Sequence, residues 1–122
     1  KAGAKLSWVR GVIGIAGPYD FLPLTDPNLV KIFGGANRTD TQPITYIDGK
    51  RPPMLLATGD ADETVSPGNV TRMAAKLRSY GSPVEEQVYP GVGHIGILLS
   101  LAPGMRDNTT LRKDMIKFVN AN

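Results

Sequence analysis

Cysteine is missing from this 122-residue sequence, and histidine and tryptophan occur once each. Without thiols there is no disulfide and no thiolate chemistry, and a single imidazole leaves little material for a zinc site. A metal would have to rest on carboxylates, and neither a metal nor a cofactor is expected. Long apolar runs are missing as well. The longest fall far short of the roughly 20 residues that cross a bilayer, and the N-terminus has no signal-peptide pattern. The expectation is a soluble chain without a membrane span, with the cytoplasm as its compartment. Charge of one sign is not concentrated either: 14 basic and 11 acidic residues leave a net +3, with the basic side chains spread along the chain. Despite a pI near 9.3 there is no basic run interleaved with aromatics, so nucleic acid is not an expected partner.

What is present is an ordinary globular composition, 41% apolar, long enough for one domain around one core. Three short apolar runs read as strands. Val9 to Ala16 is rich in β-branched residues and stops at Gly17-Pro18; Met54 to Thr58 lies between Pro52-Pro53 and Gly59. Val84 to Tyr89 is more polar and stops at Pro90-Gly91, which suits an outer position in a sheet.

Helical spacing appears between and after these runs. Val70, Met73, Ala74, Leu77 and Tyr80 recur three or four apart over Pro67 to Tyr80, with Ser66 to open the helix and Gly81 to close it. Leu111, Met115, Phe118 and Val119 share a face over Thr110 to Asn120, capped by Asn108 or Thr109. Shorter helical segments are expected over Ile95 to Leu101 and Asp26 to Phe33, and 34–51 reads as a long irregular connection able to shape a site. Trp8 reads as a core or edge anchor for the first strand, and Met54, Met73, Met105 and Met115 as core filling or surface contacts. Three Asn-x-Thr triplets, at Asn37, Asn69 and Asn108, carry no functional weight.

This order implies an α/β architecture of about three parallel strands with right-handed crossovers, in which chemistry sits at the carboxyl ends of the strands. Two motifs fall there. Gly59-Asp60-Ala61-Asp62-Glu63-Thr64-Val65 follows the second strand, and Gly91-Val92-Gly93-His94 follows the third. A carboxylate and an imidazole leaving neighbouring strand ends can meet above the sheet edge. The chemistry that needs such a pair is definite: a serine hydroxyl becomes a good nucleophile when an imidazole takes its proton and a carboxylate orients that imidazole. Glycines around the histidine allow a tight loop to aim the ring.

The run from Pro53 through Gly59-x-x-Asp62-x-x-Val65, followed by a helix, a strand and Tyr89-Pro90-Gly91-Val92-Gly93-His94, resembles the end of an α/β-hydrolase of the carboxylesterase and acetyl-esterase type. Ile15 to Phe21 is similar to the segment those enzymes carry after the strand that follows the nucleophile. The resemblance covers nearly the whole chain. It implies that Asp62 is the acid and His94 the base of a catalytic triad, that the substrate is a small-molecule carboxylic ester, and that no cofactor takes part. It also implies that residues 1–122 are the C-terminal half of a single α/β-hydrolase domain. No Gly-x-Ser-x-Gly and no His-Gly-Gly oxyanion segment occurs, and Ser7, Ser66, Ser79, Ser82 and Ser100 do not sit on a strand-to-helix elbow. In the family both features lie upstream, so this chain alone is expected to be inactive. An apolar first strand left at the edge would pair with the missing half or with another copy.

Alternatives carry other expectations. Asp60 and Glu63 compete with Asp62 for the acid role. Asp60-Ala61-Asp62-Glu63-Thr64 also resembles the Asp-x-Asp-x-Thr motif of haloacid-dehalogenase-type phosphatases, in which both aspartates bind magnesium, but no downstream acidic pair suits completion of that site. A non-catalytic α/β binding module explains the missing serine but not an acid and a histidine at adjacent strand ends. Tyr19 and Asp20 are candidates for pocket lining or packing, and Ile95 to Leu101 for an acyl-side wall or core.

Overall fold

The computed structural model describes residues 3–102 and 109–122. Its frame is a three-stranded parallel sheet in the order β1, β2, β3, formed by Val12–Ile15 (β1), Met54–Gly59 (β2) and Val84–Tyr89 (β3). Among the described residues four α-helices accompany it: α1 (Pro27–Phe33), α2 (Gly68–Ser79), α3 (His94–Leu99) and α4 (Leu111–Ala121). Met105 and Asn108, an expected core filler and a candidate cap, lie outside the described residues, as do Pro103 and Gly104.

The middle strand organises the core because both its faces are covered. Every residue of β2 is buried, and the two-residue period of a strand sends alternate side chains to opposite layers. Met54 and Leu56 meet Val70, Met73, Ala74 and Leu77 of α2, together with Ile47. Ala57 meets Tyr89, Val92, Ile97 and Leu111 on the other side, where α3 and α4 lie. Leu77 is fully buried in the first layer. Truncating it to alanine is expected to cost about 2–5 kcal/mol, because the lost transfer energy comes with a cavity.

Helix ends follow local chemistry. Past Tyr80 the chain turns through Gly81 at φ +76, while the Gly81 amide donates to the Arg78 carbonyl and the Ser82 amide to that of Leu77. That is the two-bond termination a C-terminal glycine allows. Asp26 opens α1 by accepting from the Asn28 amide at 2.8 Å, with Pro27 in the first turn. The Thr109 hydroxyl accepts from the Leu111 amide at the start of α4. Ser66 does less than its position suggests: its hydroxyl is 3.4 Å from the Gly68 amide, and its carbonyl accepts the Asn69 amide instead.

Several expectations are corrected. The first strand is Val12–Ile15 rather than Val9 to Ala16, and Leu6–Trp8 forms a 3-10 turn in which Trp8 is 68% exposed. With only one neighbouring strand, the run before Val12 has nothing to pair with. Tyr80 and Val119, placed on buried helix faces by spacing alone, are exposed. The 34–51 connection contains two short 3-10 turns, Thr39–Thr41 and Pro43–Tyr46, the second packing Ile44 against the α2 layer.

Candidate active site

Register sets the site. Gly59 pairs with Tyr89, so β2 and β3 end level and the chains leaving them start side by side. The Asp60 amide donates to the Tyr89 carbonyl at 3.2 Å and the Ala61 amide to that of Val92 at 3.1 Å, extending the pairing past the strands. This approach requires glycine at position 59, where a Cβ would lie 1.9 Å from the Val92 oxygen. On the facing loop, Tyr89 to Val92 makes a turn with Pro90 and Gly91 at its centre, and Gly91 sits at φ +71, the left-handed region this turn type needs in its third residue. Gly93 has no such requirement. It is extended and serves as the cap residue before His94, the first residue of α3.

Asp62 and His94 are brought into contact, with Asp62 Oδ2 2.8 Å from His94 Nδ1. The other carboxylate oxygen accepts the amides of Thr64 at 2.9 Å and Val65 at 2.8 Å. The Asp62 side chain is fully buried, whereas that of His94 is 23% exposed. Burial works against the anion, but the Val65 amide, the His94 ring and the Thr64 amide outweigh it and hold the carboxyl below its usual pKa. An ionised carboxylate only accepts hydrogen bonds, so Nδ1 carries a proton, and the neutral ring in that tautomer presents its lone pair at Nε2.

The other acids go elsewhere. Asp60 Oδ1 accepts the Gly91 amide at 2.7 Å, and Glu63 is exposed on the rim of a neighbouring cavity. Asp60 and Asp62 therefore hold a backbone amide and an imidazole, rather than converging on one cation. Among the described residues there is no group of three or more metal-ligating side chains.

A cavity of about 560 Å3 opens beside the acid loop, with Phe21, Leu22, Leu29 and Phe33 on one wall and Thr64 and Val65 on the other. Helix α3, a candidate acyl-side wall from the sequence, does not line it: Ile97 is buried, while Ile95, Leu98 and Leu99 face outward. Asp20 does line it and pairs with Arg72 at 2.7 Å, whereas Tyr19 lies over Gly14 and Gly17 as packing. Burial pushes the Tyr19 hydroxyl pKa up.

Two buried amides escape sequence reasoning. Asn69 Oδ1 accepts the successive amides of Tyr19 at 2.9 Å and Asp20 at 2.7 Å, and Gln42 Oε1 accepts that of Phe21 at 2.6 Å. Together they hang the cavity wall on α2 and on the irregular connection. Asn69 is 2% exposed, so its Asn-x-Thr triplet is not available for modification in this fold. An amide in the first turn after an acid loop is the only sequence signal, and by itself it points to nothing.

The profile of the prolyl oligopeptidase family matches residues 28–120. No curated protein sequence matches the chain significantly. Among solved structures, esterase 2 of Thermogutta terrifontis aligns with a TM-score of 0.67 at 20% identity, over 93% of this chain and 40% of its own. A carboxylesterase from Lactobacillus plantarum aligns with a TM-score of 0.72 at 11% identity, over 92% and 44%. Dipeptidyl peptidase 4 of Porphyromonas gingivalis aligns with a TM-score of 0.69 at 16% identity, over 93% and 16%. At these identities the likeness is one of fold, three parallel strands with flanking helices as in α/β-hydrolase esterases. The chain spans less than half the length of the esterases it resembles.

Proposed function

The chain belongs to the prolyl oligopeptidase family, and from that premise we propose that the protein of which it is part hydrolyses small carboxylic esters through a serine acyl-enzyme. The observation that carries the reading is the 2.8 Å contact between a buried, ionised Asp62 and His94 Nδ1. Two of the three structural relatives named above are esterases and one is a dipeptidyl peptidase, a balance that favours esters over peptides as substrates.

In this mechanism His94 Nε2 takes the proton of a serine hydroxyl as its oxygen attacks the ester carbonyl. The imidazolium that forms is stabilised by Asp62, which stays ionised throughout. Collapse of the tetrahedral intermediate releases the alcohol, which receives the proton from Nε2. Water then attacks the acyl-enzyme, giving its proton to Nε2, and the serine regains it as the acid leaves. The serine and the oxyanion donors lie outside this sequence, in a segment whose last strand pairs with the open side of β1. Alone, the chain has no esterase activity and self-associates through that side.

The test uses chromogenic acetate and butyrate esters and a dipeptidyl anilide, on this chain and on the protein extended upstream of Lys1. We expect the extended protein to cleave the esters, and His94→Ala to lower kcat by about 10³–10⁴-fold. Cleavage of the anilide alone would change the substrate class to peptides. Ester hydrolysis by this chain that survives His94→Ala would remove the mechanism. A well-behaved monomer in light scattering at high concentration would count against the open-edge pairing.

A further inference from the structure

The structure assigns Asp60 a role its sequence position does not reveal: we propose that it is a positioning residue for His94, holding the Pro90-Gly91 turn against the acid loop through the Gly91 amide. The kinetic consequence rests on the acyl-hydrolase reading above; the structural one does not.

The turn that carries the imidazole is weakly closed by its own backbone. Its internal bond, from the Val92 amide to the Tyr89 carbonyl, is 3.4 Å long, and Gly91 at its apex has its amide turned away from that closure. Asp60 Oδ1 accepts this amide at 2.7 Å, shorter than the 2.8 Å contact of Asp62 with His94 and than the two backbone bonds of 3.1 and 3.2 Å between the loops. A bond from an amide to a carboxylate is stronger than a neutral one. The flanking backbone bonds, from Asp60 to Tyr89 and from Ala61 to Val92, hold the base of the turn but not its apex. His94 follows that apex by three residues, too few for an error at Gly91 to be absorbed before the ring.

The bond is also separable from stability in the core. Asp60 is exposed and belongs to neither apolar layer, so shortening its side chain opens no cavity. Asp60 and Asp62 thus divide the work of one loop, the first acting on the backbone of the opposite loop and the second on its side chain.

The experiment observes the His94 Nδ1 proton and the Gly91 amide by NMR in this chain, comparing Asp60→Asn, Asp60→Ala and Asp60→Glu. A short bond to a carboxylate gives the imidazole proton a low-field resonance protected from exchange. Asp60→Asn keeps an acceptor oxygen in place and should preserve both signals. Asp60→Ala removes the acceptor and Asp60→Glu displaces it while keeping the charge, so both should shift the Gly91 amide and broaden the imidazole proton. If Asp60→Ala fails to fold, the contrast between Asp60→Glu and Asp60→Asn still decides. In the extended protein Asp60→Ala should lower kcat by about 10- to 100-fold with little change in KM, and Asp60→Asn should restore most of the rate. An imidazole proton unaltered in both Asp60→Ala and Asp60→Glu, or an Asp60→Asn as damaging as Asp60→Ala, would overturn the assignment. Since the resonances are read without substrate, an absence of ester hydrolysis would sink the functional reading and leave this one standing.

Discussion

The two margins of the sheet are built on opposite principles. β3 is Val84–Tyr89, with Glu85, Glu86 and Gln87 in its middle, Glu86 paired with Arg78 of α2, and its carboxyl end joined to β2 by the loops that hold Asp62 and His94. β1 is Val12–Ile15, without a charge or a long polar side chain, and exposed apolar residues at Trp8, Val9 and Val12 lead into it. Charges along an edge discourage a further strand; their absence invites one. The Val12 amide donates to the Pro53 carbonyl just before β2 and the Ala16 amide to that of Ala57 within it, and the alternation of a strand turns the amides of Ile13 and Ile15 to the open side. One margin is finished as an outer edge, while the other has the make-up of an interior strand. The chemistry-bearing residues gather at the finished side.

This contrast can be broken most severely at the pair itself. In the extended protein, Asp62→Asn should lower kcat by about 10⁴-fold, because a neutral amide no longer holds the imidazole in the required tautomer; steady-state kinetics on an acetate ester read the loss. Next in size is Gly59→Ala, which drives a methyl group against the Val92 carbonyl and should separate the loops of β2 and β3. A loss of about 1–3 kcal/mol in urea unfolding is expected, with the His94 proton signal disturbed even where the fold persists.

Smaller effects sharpen the comparison between the margins. Val12→Lys places a charge on the open strand and should weaken self-association by on the order of 1 kcal/mol in sedimentation equilibrium. Val88→Lys, on the outer strand, should leave association unchanged and alter stability by no more than about 0.5 kcal/mol. Equal responses at the two positions would abolish the distinction. Last, the folded Asp62 carboxyl has a lowered pKa, so the unfolded chain binds its proton at higher pH than the native one. The stability it contributes is complete above the ordinary carboxylate value of about 3.9 and is lost as the pH falls towards the native pKa. Asp62→Asn should therefore flatten the acid limb of the stability profile, measured by urea titration at successive pH values.

Much of this arrangement was legible before the fold. The apolar run of β2 between two prolines and a glycine, the helical spacing of Val70, Met73, Ala74 and Leu77, and the two glycine-bearing motifs after strands are local signals, and they place Asp62 and His94 at neighbouring strand ends. Less legible was how far β1 extends, since an apolar β-branched run looks the same whether or not a partner strand is alongside. The face of α3 was also hidden: six residues carry too few turns for a periodic pattern, and three other large apolar side chains, Ile95, Leu98 and Leu99, accompany the single buried Ile97.

By itself the sequence determined which residue types follow which strands, where the chain must turn, and that an acid precedes a histidine across a β-α-β unit. Tertiary structure alone decided which of the acids takes which partner. Asp60, Asp62 and Glu63 fall within four consecutive residues, and only the level ends of β2 and β3 turn one towards an amide, one towards the imidazole and one towards solvent. It also decided that Asn69 and Gln42 are buried, because their partners at residues 19–21 lie far away along the chain and meet them only when the sheet and α2 have packed.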